Sequence, residues 1–381
     1  GGDRHVGRRR DLAQGRRAGA GRMTAAALWA RLGADGLVEG GMPDPGRPAS
    51  PWYVRAMLGI AGWIGALFLL AFLGAAFSLL VDSPGAALIV GAACCGGAFA
   101  LFRTFDGNDF AEQFGLAVSL AGQMLMIVGI SGLLGVQEGA PLYLAIALME
   151  TALALLVPNF LHRLLATCGA AIAVALAINA AELHGLSAPI LCVGLASVWL
   201  EPKAWAGGGQ LWRPVGYGLV LALLLVETFR LFDAGTLFGA VAAPSRWIAI
   251  NGPLIGRALS AAVLLWVAIA LVRREGVAPA SPIGLMAAAA ALVLGLASLA
   301  APGLASALLI LLLGFSVGNR VLVALGILSL LGFVTHFYYS LHATLLEKSG
   351  ILAATGLCLL AIRFALGRVP PSSGTADPGD A

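Results

Sequence analysis

The chain has 381 residues, of which 60% are apolar and only 11% charged, and its formal net charge is +4. An ordinary soluble domain carries about 25% charged residues, and a soluble fold of this length could not hide so much apolar surface. The mean hydropathy of +0.92 and an apolar succession from about Met57 to Leu366 require a bilayer instead. The positive balance is no sign of nucleic-acid binding, because the Lys and Arg residues precede Met57 or flank apolar runs, as orienting charges do.

The chain reads as three parts: a basic segment over 1–50, a transmembrane domain over 51–368, and a Pro/Ser/Gly/Asp-rich tail over 369–381 that is expected to be disordered. Gly1 to Arg22 is Arg/Gly-rich and lacks the apolar core of a signal peptide. Met23 is read as the natural start and residues 1–22 as read-through. After it, Thr24 to Leu32 predicts a short amphipathic helix. The spans then follow at 56–80, 84–102, 114–134, 140–157, 164–182, 186–200, 214–231, 254–272, 283–300, 302–317, 320–337 and 348–367. They are apolar all round, which predicts helices, and they lack the alternation of a β-barrel.

Local signals mark several boundaries. Ser50-Pro51, Ser83-Pro84 and Ser281-Pro282 place a capping hydroxyl before a proline suited to the first helical turn, and Thr344-Leu-Leu-Glu347 fits a capping box. Gly107-Asn108 and Gly318-Asn319 open similar helices, a hint of duplication. The segment 283–317 is too long for one crossing, and Ala301-Pro302-Gly303 supplies a break. Two short helices in a tight hairpin are expected; the alternative is a re-entrant pair, which leaves ten full crossings. Counted over alternating connectors, nine Lys or Arg fall inside (Arg103 to Arg368) and four outside (Arg230, Arg246, Arg257 and Lys348), so both termini are expected in the cytoplasm. The fold class is therefore an all-α polytopic transmembrane bundle of about twelve spans.

An ionisable residue deep in a membrane is costly, by about 2.5–3.5 kcal/mol at the centre, and is a functional candidate by default. Glu150 is the clearest case, with the functional reading a proton or cation site and the plain one a hydrogen-bonded carboxyl joining two helices. Gln123 and Asn179 are polar and similarly deep; interhelical hydrogen bonding is their simplest role. These three residues form the candidate ion or substrate pathway. Glu227 and Arg230 share a helix face near the outer end, where a local salt bridge competes with a carboxylate site for a cationic solute. His336, His342, Glu347 and Lys348 lie in the polar and aromatic outer connector and complete a candidate outer site. The histidines there have no metal-ligand spacing, and Cys94, Cys95, Cys168, Cys192 and Cys358 sit in apolar runs without a Cys-x-x-Cys pair. No metal, cofactor or disulfide is expected. Gly252-Pro-Leu-Ile-Gly256 and Gly314-Phe-Ser-Val-Gly318 match G-x-x-x-G and imply close helix packing.

There is no Walker A loop, G-x-G-x-x-G, G-x-S-x-G or H-E-x-x-H, and the connector after the second span lacks the Gly/Asp/Arg pattern of a major-facilitator transporter. No enzyme activity is expected.

Three blocks resemble one family. They are Ser50-Pro51-Trp52-Tyr53-Val54-Arg55 running into Gly59-Ile-Ala-Gly62-Trp63; Glu112-Gln113-Phe114 followed by Leu120-Ala-Gly122-Gln123; and Phe337-Tyr338-Tyr339 leading to Thr344-Leu-Leu-Glu347-Lys348-Ser349, with Arg363 beyond. In this order, over about Pro51 to Arg368, they resemble a bacterial membrane family, the domain of unknown function 4401. The resemblance implies a multi-pass protein of the bacterial inner membrane and carries no activity or catalytic residue with it. Two functional classes follow from the residues: a permease-like protein with Glu150 on the pathway, or a non-catalytic scaffold for a membrane-protein partner or a homo-oligomer. The lipid bilayer is an expected partner.

Overall fold

The structure is a computed structural model that describes residues 25–34, 52–76, 83–105, 108–231, 247–340 and scattered positions from 346 to 364. The expected extra start 1–22 and the tail 369–381 lie outside the described residues, as do Ser50 and the Thr344–Glu347 box. The chain separates into two compact units, Gly1–Ala56 and Met57–Ala381. In the first, α1 (Ala25–Ala34) is the short helix expected after Met23, with Trp29 and Arg31 in it.

Every further described element is also helical: α2 (Trp52–Ala76), α3 (Pro84–Thr104), α4 (Asp109–Leu134), α5 (Ala140–Leu156), α6 (Phe160–Ala180), α7 (Ser187–Leu200), α8 (Pro202–Leu231), α9 (Trp247–Arg274), α10 (Pro282–Ala300), α11 (Leu304–Ser316) and α12 (Arg320–Ser340). Seven described helices are long and apolar enough to cross a membrane: α3, α4, α6, the Gly208–Leu231 part of α8, the Asn251–Arg274 part of α9, α10 and α12. Three others are short, as the spans 140–157, 186–200 and 302–317 lead one to expect. α5 has 17 residues, α7 has 14 and α11 has 13. At 1.5 Å per residue these reach about 25, 21 and 20 Å, against a hydrocarbon core of about 30 Å.

Burial runs opposite to that of a soluble protein. Small residues face inward, among them Ala98, Ala166, Ala175 and Ala196 at 0% exposure. Large apolar side chains such as Phe68, Ile89 and Leu148 face outward, each at least 70% exposed. Only lipid can cover that surface, and the protein is a membrane protein. The largest core forms around α7, whose Cys192, Leu195, Ala196 and Trp199 pack with Leu223 of α8, Val267 of α9, Leu309 and Ile310 of α11 and Leu322 of α12.

Lipid tails are as apolar as leucine, so helices here are held by close packing rather than by expulsion of water. Glycine sets how close they come. Along α3 and α4 a side chain at Gly91 would stand 2.6 Å from the Gly122 carbonyl oxygen, and one at Gly122 would stand 2.7 Å from that of Gly91. Gly129 is held against Leu88 and Pro84 in the same way. The Gly252/Gly256 pair has a specific use: the His184 and Gly185 carbonyls of the turn between α6 and α7 press directly on these glycines of α9. The second G-x-x-x-G match divides. Gly314 packs on the backbone of α12, whereas Gly318 has a φ of +66° and serves the turn between α11 and α12.

Capping follows sequence in part. Ser281 accepts a hydrogen bond from Gly284 N at 3.1 Å, but Ser83 makes no capping bond and Pro84 alone starts α3. Asn108 accepts from Phe110 N and Ala111 N, and Asn319 from Val321 N and Leu322 N. Asn108 and Asn319 thus make the same kind of capping turn. Beyond it the two helices differ: Gly115 faces the Phe102 ring, and Gly326 faces the backbone of Leu311. The Asn319 amide also donates to the Tyr217 hydroxyl at 2.7 Å, and Tyr217 meets the Trp199 ring edge-on, which ties α12 to α8 and α7.

Substituting Gly256 by alanine should cost about 1–3 kcal/mol of stability, since the new methyl meets fixed backbone. Gly194→Ala, with nothing within 4 Å of the new methyl, should be neutral or slightly stabilising. Thermal unfolding in detergent, followed by tryptophan fluorescence, checks the pair.

Candidate functional site

α4 carries Ser119 and Gln123 one turn apart, on the face that meets α6. α6 starts at Asn159, whose side chain accepts from His162 N at 3.0 Å and so fixes the first turn. That turn places the His162 ring, 0% exposed, against α4. Its Nε2 lies 2.8 Å from Ser119 Oγ and 3.1 Å from Gln123 Nε2. An amide NH2 can only donate, so in this arrangement His162 Nε2 accepts and the ring proton sits on Nδ1. Nδ1 is buried without a hydrogen-bond partner. Phe102 of α3 meets the ring edge-on, and the Cys95 thiol donates to Ser119 O at 3.6 Å. Three helices thus enclose one imidazole.

Glu150 stands further along α6, on the neighbouring helix α5. It is 5% exposed, and its carboxyl carbon lies 3.3 Å from where a side chain at Gly169 would begin. Glycine there leaves the room that the carboxyl fills. Glu150 Oε2 is buried with no hydrogen-bond partner, and the group is within electrostatic range of the Cys95 and Cys168 thiols. Gly169 is seven residues past His162, which returns it to the same face of α6 about 10 Å along the axis. The carboxyl, the amide and the imidazole therefore line one side of α6.

The structure does not bring Asn179 to this group. It lies at the far end of α6, about 25 Å along the helix from His162, and is only half-buried. Of Glu150, Gln123 and Asn179, only Gln123 touches His162; Glu150 packs at Gly169, about two turns further along α6, and Asn179 lies further still. Sequence reading also missed His162 and Ser119. His162 follows Pro158-Asn159 and falls between the expected spans 140–157 and 164–182, whereas α6 begins at Phe160. The usable signal was the i, i+4 pair Ser119/Gln123, two polar residues on one face of an apolar helix.

A second polar group surrounds the break between α10 and α11. Glu227, 6% exposed, accepts from Ser306 Oγ at 2.7 Å, and Ser306 also lies 3.8 Å from Cys192 Sγ. Glu227 and Arg230 form no ion pair with each other among the described residues; the carboxylate turns instead to the first turn of α11. Arg257 of α9 donates to Leu299 O at 3.0 Å, at the end of α10. A carboxylate thus faces the N-terminus of one half-helix and a guanidinium the C-terminus of the other, which suits both helix dipoles. Phe333 of α12 lies against Gly303 of the break. His336 lines a separate cavity between α8 and α12, while His342, Glu347 and Lys348 lie outside the described residues. Among the described residues, no three His, Cys, Asp or Glu side chains are grouped as metal ligands.

Two of the sequence blocks meet in the fold: Trp63 Nε1 donates to Gln113 Oε1 at 3.1 Å, and Gly62 lies against Phe110 O and Phe114 N. The family model described as Domain of unknown function (DUF4401) matches residues 51–369, and the chain belongs to that family. No curated protein and no solved structure matches it.

A double-mutant cycle with Ser119→Ala and His162→Phe should give a coupling of about 0.6–1.7 kcal/mol, the range of buried interhelical hydrogen bonds in membranes. Unfolding in mixed micelles at increasing denaturant measures it.

Proposed function

We propose that this member of the family is a permease-like, non-enzymatic protein of the bacterial inner membrane whose pathway runs along the face of α6 that carries Glu150, Gln123 and His162. The observation that carries the reading is Glu150 itself. A carboxyl 95% buried in a membrane bundle, with one oxygen unpartnered, is a costly arrangement. Packing alone would be served better by an apolar residue of similar size. Gln123 and Ser119 supply hydrogen-bonding groups at His162, about two turns of α6 from Glu150, and the short helices α5, α7 and α11 fit a bundle in which some helices do not cross the membrane alone.

The proposal includes about twelve apolar segments with both termini in the cytoplasm, supported by the excess of Lys and Arg in the connectors assigned inside. The scaffold reading has less support. It relies on free small-residue faces for partner helices, and Gly252, Gly256 and Gly314 are already used by the chain's own helices.

In proteoliposomes carrying a pH dye or a cation dye, the native protein should dissipate an imposed ion gradient and Glu150→Gln should abolish the flux while leaving the unfolding temperature within a few degrees. Equal flux for the two proteins removes the proposal. For orientation, a reporter active only in the periplasm and fused after Arg368 should be silent.

A further inference from the structure

By its place between spans Arg163 is an orienting charge, yet its guanidinium makes two specific contacts. Its Nε donates to Ala154 O at 3.2 Å, and its Nη1 donates to Gln210 O at 3.2 Å. The two carbonyls share one defect. In an α-helix the C=O of residue i takes the N–H of residue i+4. For Gln210 that residue is Pro214, inside α8 and fully buried. For Ala154 it is Pro158. Proline has no N–H to give. Val157, which closes α5, returns its own N–H to Leu153 O and then turns extended, at φ −81° and ψ 117°. The chain thus leaves the helix just where the Ala154 carbonyl needs its donor. Ala154 is 4% exposed, and a buried carbonyl left unpaired is costly. One planar fork of donors therefore stands in for backbone N–H groups missing from two different helices, α5 and α8. It also sets a cation at the C-terminal end of α5, where the helix dipole favours one.

We propose that Arg163 is a positioning residue for Glu150: by tying the last turn of α5 to α6 and α8, it fixes the height at which the carboxyl packs at Gly169. Glu150 precedes Ala154 by four residues, which is about one turn and 6 Å along α5, so the anchored carbonyl and the carboxyl belong to the same face of one short helix. The other anchor lies in the bent part of α8. Gly208 leaves the helical region there, at φ −140° and ψ 25°, and Pro214 interrupts the hydrogen-bond ladder. A change in that bend reaches the helix of Glu150 through one side chain. The consequence for ion movement rests on the pathway proposed above; the placing of Glu150 does not.

The test exposes the full chain in nanodiscs to dicyclohexylcarbodiimide, an apolar reagent for carboxyls within membranes, and follows the Glu150 peptide by mass spectrometry. Arg163→Ala should raise the labelling rate of Glu150 about tenfold, as local opening of α5 becomes easier by about 1.4 kcal/mol. Arg163→Lys keeps the charge and loses the fork, so it should label nearly as fast; it carries the test by itself if Arg163→Ala does not fold. Ser281→Ala, which removes the cap of α10, should label as the native protein does, so that a general loss of stability is read separately. Pro214→Ala returns an N–H to Gln210 O. It should raise the unfolding temperature by about 2 °C more in Arg163→Ala than in the native protein, while Glu150 labelling in Arg163→Ala stays high because Ala154 O is still unpaired. Native labelling in Arg163→Lys assigns the effect to charge alone and overturns the proposal. So does native labelling in Arg163→Ala, or a Ser281→Ala rate equal to that of Arg163→Ala. If the native protein passes no ions while this labelling pattern holds, the pathway falls and Arg163 still places Glu150.

Discussion

The fold depends on backbone meeting backbone at glycine. Within a bilayer the hydrophobic effect that assembles soluble cores is spent once the helices are inserted, and what remains is the quality of contact between them. Gly91 against Gly122, and the His184–Gly185 turn against Gly252 and Gly256, bring main chains closer than any side chain permits. The position of α4 relative to α3, and of α9 relative to α6 and α7, follows from these contacts.

The buried polar groups follow from the same constraint. Tight packing of α3 on α4 presents Ser119 and Gln123 at a fixed depth, and Asn159 fixes the first turn of α6 so that His162 meets them. Gly169 leaves the gap that Glu150 fills. At the other end of the bundle the break between α10 and α11 puts main-chain groups among apolar neighbours. Arg257 takes the Leu299 carbonyl, and Glu227 meets α11 through Ser306. Charges that read from sequence as a local pair on one helix are there divided between two helix ends. Glu227 and Arg257 serve where the backbone is interrupted, and Glu150 is a buried carboxyl without such a duty.

The membrane class, the helical fold and most helix boundaries were legible in sequence, because apolar length and polar interruptions are local properties. The break at Ala301-Pro302-Gly303 was legible for the same reason. The partnership of His162 with α4 was not. A histidine next to an asparagine cap looks like a connector residue, and only the start of α6 at Phe160 turns it inward. Asn179 shows the opposite case: its depth in a run resembles that of Gln123, but it lies about 25 Å along α6 from His162. Glu227 was legible as a candidate on one helix face and Ser306 was not, since nothing in a run of leucine, alanine and serine indicates which serine faces a carboxylate on another helix. Local pattern gives depth and face; which faces meet is settled by glycine contacts between distant segments.

The central claim is that α4 and α6 meet so that one imidazole is shared by Ser119 and Gln123, about two turns of α6 from Glu150. The most direct measurement is the dipolar coupling between ring ¹⁵N of histidine and ¹³Cβ of serine in lipid bilayers, with Ser119→Ala as the blank. A short-range coupling that vanishes in Ser119→Ala is the result this account predicts. A spectrum unchanged by that substitution would place His162 away from α4 and contradict it.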